Sequence, residues 1–273
     1  MYFMGGAKVV DEGKLIFRSM MALFGALGRF PRTRFSGEFP GLALFDSGVG
    51  SSYENYAMLS PRAAPSALAD AVEFGLDFFA RTGRSHVWPI FEWIPDDICA
   101  ILERAGLRRD EDFYAMAADV RLDSGCGAPS GVVADASVRE GCAVREWASC
   151  AWFGFESGEP FPEEYVEYAQ NMASLGEISL IAARLAASGE APPGEIAATG
   201  MSFVSEGIWG IYNISTLPKY RRRGLAMAVV REAMRLSRSS GAERAALLAT
   251  PEGRPLYLRC GFADEGAVKI FVR

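Results

Sequence analysis

The chain has 273 residues, of which 50% are hydrophobic, 12% aromatic and 23% charged. This is the composition of a globular protein with a large core, and it excludes a disordered, collagen-like or coiled-coil chain. Lys plus Arg number 28 against 34 Asp plus Glu, a net charge of −6, which disfavours a surface built to coat nucleic acid or an anionic membrane.

In chain order, residues 15–30 are the best membrane candidate, but Arg18 and Arg29 interrupt them, and a spanning helix needs about 20 apolar residues. Residues 67–82 read as an amphipathic helix stopped near Gly83. A strand-like run at 86–91 follows, then a helix at 95–104 ending at Gly106. His86 is the single histidine, so a multi-histidine metal site and a histidine-based triad are disfavoured, and no metal is expected. It reads as a structural residue, and Trp88, Phe91 and Trp93 read as core or interface aromatics. Cys99, Cys126, Cys142, Cys150 and Cys260 form an odd set without a C-x-x-C pair, as expected of reduced thiols in a cytoplasmic protein.

Residues 123–131, rich in Gly, Ser and Pro, read as a linker that divides the chain into domains at 1–122 and 132–273. In the second domain strands are expected at 177–185, 196–204 and 208–217, with a loop at 187–194 between the first two. Pro218 ends the third. Leu225, Val229, Ala233 and Leu236 recur at helical spacing over 225–237. A strand at 245–249, a short helix at 255–260 with Gly261 as its cap, and a strand at 267–272 complete the chain. Both domains thus read helix, strand, short helix, glycine, final strand, and residues 102–107 echo residues 257–262. The pattern points to a tandem duplication of an α/β unit with a mixed sheet.

One segment carries chemistry. At residues 213–227 a strand ends, the chain turns through Arg221-Arg222-Arg223, and Gly224 opens a helix. Such a turn aims backbone N–H groups at the positive end of a helix dipole, which suits a phosphate or pyrophosphate. Gly224 and the small Ala226 let an anion approach the backbone closely. Neither a P-loop nor a dinucleotide-binding glycine pattern is present.

Arg221-Arg222-Arg223-Gly224-Leu225-Ala226 resembles the R-x-x-G-x-G/A signature of the GNAT superfamily of acyl-CoA-dependent N-acyltransferases. Pro218, Tyr220 and the L-Y-x-x-x-G-F element Leu256 to Phe262 also match, and the resemblance covers about residues 175–273. It implies tandem GNAT-like domains, the first degenerate and the second binding acetyl-CoA. Ile214, Ser215 and Thr216 would pair with the pantetheine arm. The amides of Arg222, Arg223, Gly224, Leu225, Ala226 and Met227 would cradle the pyrophosphate. Tyr257 would protonate the departing thiolate, and Cys260 would be only a small buried neighbour.

The first domain has Ser60-Pro61-Arg62-Ala63-Ala64-Pro65-Ser66 where the cradle would be, so a second CoA is not expected. Thr250 replaces an asparagine common in the family, and residues 245–249 lack the glutamate that some members carry. Glu177 and Glu206 border the relevant strands and read equally well as solvated residues. The expected reaction is direct acetyl transfer to a primary amine on a small molecule or peptide, in a groove between the domains. A non-catalytic CoA-binding or regulatory module is the alternative. No nucleic acid or membrane partner is expected, and a homodimer is left open.

Overall fold

A computed structural model describes residues 14–121, 131–155, 158, 160–185 and 194–273. Most of the expected linker at 123–131 and of the loop at 187–194 lies outside them, as does Cys126. The N-terminal part runs α1 (Leu15–Leu27), β1 (Arg34–Ser36), β2 (Leu42–Asp46), β3 (Tyr56–Leu59), α2 (Leu68–Ala80), β4 (Val87–Phe91), α3 (Asp97–Arg104), β5 (Arg108–Arg109) and β6 (Phe113–Asp119). The C-terminal part runs β7 (Val132–Val138), α4 (Gly141–Gly154), α5 (Glu163–Ser174), β8 (Ile178–Leu185), β9 (Ala198–Ser205), β10 (Ile208–Thr216), α6 (Leu225–Ser239), β11 (Arg244–Ala249), α7 (Arg254–Arg259) and β12 (Ala263–Val272).

The strands form one 12-stranded sheet in the order β1-β2-β3-β4-β12-β6-β11-β10-β9-β8-β7, with β5 paired to β12. The two parts share a pairing plan. β3 is antiparallel to β2 and parallel to β4 across α2, as β10 is antiparallel to β9 and parallel to β11 across α6. Their last strands are interleaved. β6, from the N-terminal part, pairs with β11 from Arg244↔Asp119 to Ala249↔Tyr114, and β12, from the C-terminal part, lies between β6 and β4. Each part therefore supplies a strand beside the other's core strands. The chain-level division at 123–131 is not a division of the sheet.

Alternation along the strands sends side chains to two faces. α1, α4 and α5 cover one face, in a cluster with Phe91, Met201, Phe203, Ile208 and Val268. On the other face α6 and α7 pack on Met116, Trp209, Ile211 and Leu247, and α2 and α3 pack on Leu44, Trp88 and Ile90. The apolar stretch that begins at Leu15 is thus a core helix. α1 reaches across to the C-terminal part, where the Tyr212 hydroxyl donates to Ser19 Oγ at 2.7 Å. Among the described residues no helix is long and apolar enough to cross a membrane.

His86 is 2% exposed and stacks on Phe79 at 4.1 Å, and burial lowers its pKa, so it is a neutral core residue. Trp88 and Phe91 are buried in the core, and Trp93 packs against it half-buried. The described cysteines, Cys99, Cys142, Cys150 and Cys260, are free thiols.

Candidate functional site

The sheet opens at one place. β10 pairs with β11 only from Ile208 to Gly210, whereas β11 continues beside β6 to Ala249. β10 stays with β9, through a bulge between Tyr212 and Ser215 where Asn213 takes a φ of 50°. A bulge bends its strand and increases local twist, which turns the end of β10 away from β11. From Ile211 onward the edge of β10 that faces β11 therefore has no strand partner among the described residues. Ile214, Ser215 and Thr216 lie on this free edge.

The side chains of Ile214 and Ser215 pack against helices, Ile214 in the cluster under α6 and Ser215 against α4. Ser215 is 5% exposed, with its hydroxyl 2.9 Å from Thr199 Oγ1 and donating to the Cys150 carbonyl at 3.4 Å. Gly154 ends α4 against this point, and a Cβ there would come within 2.5 Å of Ser215 Oγ and 3.2 Å of the Thr216 nitrogen. What β10 offers in the opening is backbone.

The chain leaves β10 through a 3-10 turn at Pro218–Tyr220 and enters α6 at Gly224. Gly224 has a φ of 83°, a left-handed conformation that glycine adopts without strain, and no side chain caps the helix. Arg222 is left-handed too, at 65°. The first N–H groups of a helix have no carbonyl acceptor within it, and here they open toward the end of β10 with no acidic residue in the first turn. The arginines divide their work. Arg221 donates to the Thr216 carbonyl at 3.3 Å and the Gly154 carbonyl at 3.1 Å, fastening the turn to β10 and α4. Arg223 lies over the Tyr220 ring at 5.7 Å, while Lys219 and the Tyr220 hydroxyl both donate to Glu195. The Arg222 side chain is exposed. Leu225 is buried under α6, with Ala226 and Met227 half-buried beside it.

α7 starts one short turn after β11 ends, which puts Tyr257 at the open end of the sheet. Tyr257 is 7% exposed and packs edge-on against Phe262 at 6.2 Å. Its hydroxyl makes no hydrogen bond to a described residue. Burial, helped by Cys260, pushes its pKa above the usual tyrosine value, so it is protonated at neutral pH. Thr250 supports the turn, its hydroxyl accepting the Gly253 N–H at 3.1 Å. Glu206 sits in the β9–β10 turn, at the other end of β10, where it pairs with Arg18 at 2.8 Å. Glu177 lies beside it, its carbonyl accepting the Val204 N–H. Neither glutamate reaches the opening.

Comparison with known proteins bears directly on this strand–turn–helix unit. Residues 142–262 match the model of the Acetyltransferase (GNAT) family. Residues 142–262 are a GNAT domain. Over 110 residues the chain is 29% identical to a rice protein (Oryza sativa subsp. japonica) described as a probable glucosamine 6-phosphate N-acetyltransferase 2. That alignment takes in 38% of this chain and 65% of the relative, so the chain spans somewhat less than two thirds of the relative it matches. The whole fold is similar to a GCN5-related N-acetyltransferase from Kribbella flavida, with a TM-score of 0.64 at 18% identity over 94% of this chain and 95% of that one. It is also similar to a tandem GNAT protein from the clavulanic acid biosynthesis pathway, with a TM-score of 0.55 at 14% identity over 96% and 93% of the two chains. The mixed sheet spanning both parts of the chain is therefore a GNAT-type architecture.

The GNAT domain and the N-terminal part line an open cleft of about 840 Å³. Ser51, Ser52 and Tyr53 line one side and Trp152, Phe155 and Glu164 the other. Phe155 follows Gly154, so the cleft borders the end of β10. Its N-terminal wall is held by Asn55, which is fully buried. Asn55 Nδ2 donates to the carbonyls of Val49, Ser51 and Ser85 at 2.9–3.0 Å, and its Oδ1 accepts from the Ser47 N–H and hydroxyl. This wall had no signal in the sequence: residues 47–55 have neither periodicity nor a motif, and their order comes from one buried amide.

Proposed function

We propose that the chain is an acetyl-CoA-dependent N-acetyltransferase that transfers the acetyl group directly to a primary amine. The observation that carries this reading is the gap between β10 and β11 ending at the uncapped, left-handed start of α6. The pantetheine arm would lie along the free edge of β10, hydrogen bonding to the backbone of Ile214, Ser215 and Thr216 as a neighbouring strand would. The pyrophosphate would rest on the amides of Arg222 through Met227, where the helix dipole favours an anion. Arg221 holds the cradle in shape.

The acceptor would enter from the cleft between the two parts and meet the thioester at the mouth of the opening. Holding amine and thioester together removes much of the entropic barrier to transfer. An N–H on the free edge of β10 would polarise the thioester carbonyl as it gains charge. Tyr257, kept protonated by its burial, would give its proton to the sulfur as the C–S bond breaks. The rice relative's description directs attention to amino sugars as acceptors.

The test is release of free thiol from acetyl-CoA against a panel of glucosamine 6-phosphate, free amino acids, a polyamine and a short peptide. Amine-dependent thiol release with acetylated product by mass spectrometry is expected. Thiol release by none of them, with acetyl-CoA still bound, would favour the binding-module reading. That no glutamate among the described residues of the GNAT domain borders the β10–β11 gap is the observation on that reading's side.

A further inference from the structure

The walls of the cleft between the two parts stand on the two lips of the β10–β11 gap. On the GNAT side, Phe155 follows Gly154, whose carbonyl accepts from Arg221 at 3.1 Å beside the end of β10. Glu164 lines the same wall, next to Tyr165, whose hydroxyl accepts from Asn213 Nδ2 at 3.5 Å in the β10 bulge. On the other side, the Tyr53 ring stacks at 6.0 Å on Phe113, which begins β6. The next residue, Tyr114, pairs with Ala249, the last residue of β11. A molecule lying in the cleft thus has the gap at its foot.

The cleft is also polarised. Glu164 is half-buried and has no hydrogen-bond or ion-pair partner among the described residues. Its neighbour Glu163 takes the Arg145 guanidinium, while Glu164 faces the cleft. The opposite wall carries Arg108 and Arg273. Arg108 is set in place by pairing with Val272, and Arg273 by its N–H on the His86 carbonyl at 3.1 Å. Arg108 makes no hydrogen bond to a carboxylate among the described residues. Asp110 lies 3.8 Å from it and already accepts the Tyr53 hydroxyl at 2.9 Å. What separates Arg108 from a solvated surface arginine is this unpaired carboxylate facing it in one cleft. Two rings lining the cleft stay open, Tyr53 at 37% and Phe155 at 50% exposed, and offer apolar surface to the body of a ligand.

We propose that the cleft selects an amine that carries an anionic group. Glu164 draws the ammonium to the wall that holds the end of β10, and Arg108, with Arg273, takes a phosphate or carboxylate on the wall opposite. This rests on the acetyltransferase reading above and adds the acceptor's charge to it. A guanidinium binds either anion through paired N–H donors. The opposed charges also orient the acceptor, since a reversed molecule would set its ammonium against Arg108 and its anion against Glu164. The N-terminal part has no cradle of its own; here it supplies the wall that reads the acceptor.

The experiment uses the full-length protein and amines in matched pairs, glucosamine 6-phosphate against glucosamine and an amino acid against its amide. For each, kcat and KM are measured, with acceptor affinity by calorimetry in the presence of CoA. The member with the anion should be preferred at least tenfold in kcat/KM in at least one pair, and the pair that shows it identifies phosphate or carboxylate. Arg108→Gln should cut that preference about tenfold, through KM rather than kcat, and Arg108→Lys should restore part of it. Glu164→Gln should raise KM for both members of the pair and keep the preference. A thermal melt of each variant separates these effects from unfolding. No preference in either pair, or an Arg108→Gln enzyme with the parent's preference, overturns the inference while the acetyltransferase reading stands. Where no amine is acetylated, affinity decides. Tighter, Arg108-dependent binding of the anionic member supports the selection and overturns only the acetyltransferase reading, whereas equal binding of both members overturns both.

Discussion

Burial shifts Tyr257 and Glu54 in the same direction. It favours the uncharged form of each, so the phenol stays protonated at neutral pH and the carboxyl ionises only near 8. Removal of the Tyr257 hydroxyl keeps the ring in its contact with Phe262. Tyr257→Phe should therefore lower kcat about 10²-fold with acetyl-CoA affinity and melting temperature nearly unchanged, whereas Tyr257→Ala should cost about 3–5 kcal/mol through the cavity it leaves. Turnover and thermal melts on both variants separate the roles, and full activity in the Phe variant would remove the proton donor. Glu54 has a stability signature as well. Its pKa is 4.5 unperturbed and about 8 in the fold, so the folded state holds the proton more tightly than the unfolded state. Its contribution is most favourable below pH 4.5 and is lost as pH rises toward 8, at no more than about 1.4 kcal/mol per pH unit. Glu54→Gln should thus match the parent's melting temperature near pH 5 and exceed it at pH 9. Equal melting curves at both pH values would contradict a buried Glu54 carboxyl.

At the scale of elements, the opening depends on how β10, α4 and the turn into α6 are fastened together. Alanine normally favours a helix over glycine by about 1 kcal/mol, yet at Gly154 a Cβ would strike Ser215 Oγ. Ser215 cannot turn aside without giving up Thr199 and the Cys150 carbonyl, so the clash outweighs the propensity. Gly154→Ala should destabilise by about 1–3 kcal/mol in urea unfolding and weaken acetyl-CoA binding, because Arg221 is anchored to the same residue. Unchanged stability would show that the end of β10 is not clamped as described. The elements around this site were legible in sequence because they carry strong local signals. The period of α6, Pro218 after β10, and glycine at the start of α6 and after α7 fix them to within a few residues. β12 begins at Ala263, four residues before the expected 267, because its start is recruited by pairing with β6. α4 and α5 gave no such signal, and β6 was expected only as the final strand of the first domain, without its bounds or partners. α4 buries Trp147, Ala148, Ala151 and Trp152 on one face, but only Arg145 and Glu146 are charged in the whole helix, so its polar stripe is thin. β6 reads as an ordinary alanine-rich strand whose partners are more than a hundred residues away.

At the scale of the molecule, the like order of elements in the two parts was visible and the exchange of strands was not, since pairing between distant segments leaves no periodic trace in either one. The exchange has a direct consequence. Residues 132–273 alone lack β6, which leaves the inner edges of β11 and β12 unpaired in the middle of the sheet. That fragment should aggregate or fail to give a cooperative melt, and a soluble, cooperatively folded 132–273 would contradict an interleaved sheet. The central claim is a single acetyl-CoA site, formed by the β10–β11 gap and the start of α6. It is tested most directly by calorimetric titration of the full chain with acetyl-CoA, beside Gly224→Glu. That substitution strains a left-handed backbone position and sets a carboxylate against the anion. One site per chain is expected, with affinity at least tenfold lower in Gly224→Glu and the thermal melt still cooperative. Two equivalent sites per chain, or equal affinity in the variant, would contradict it.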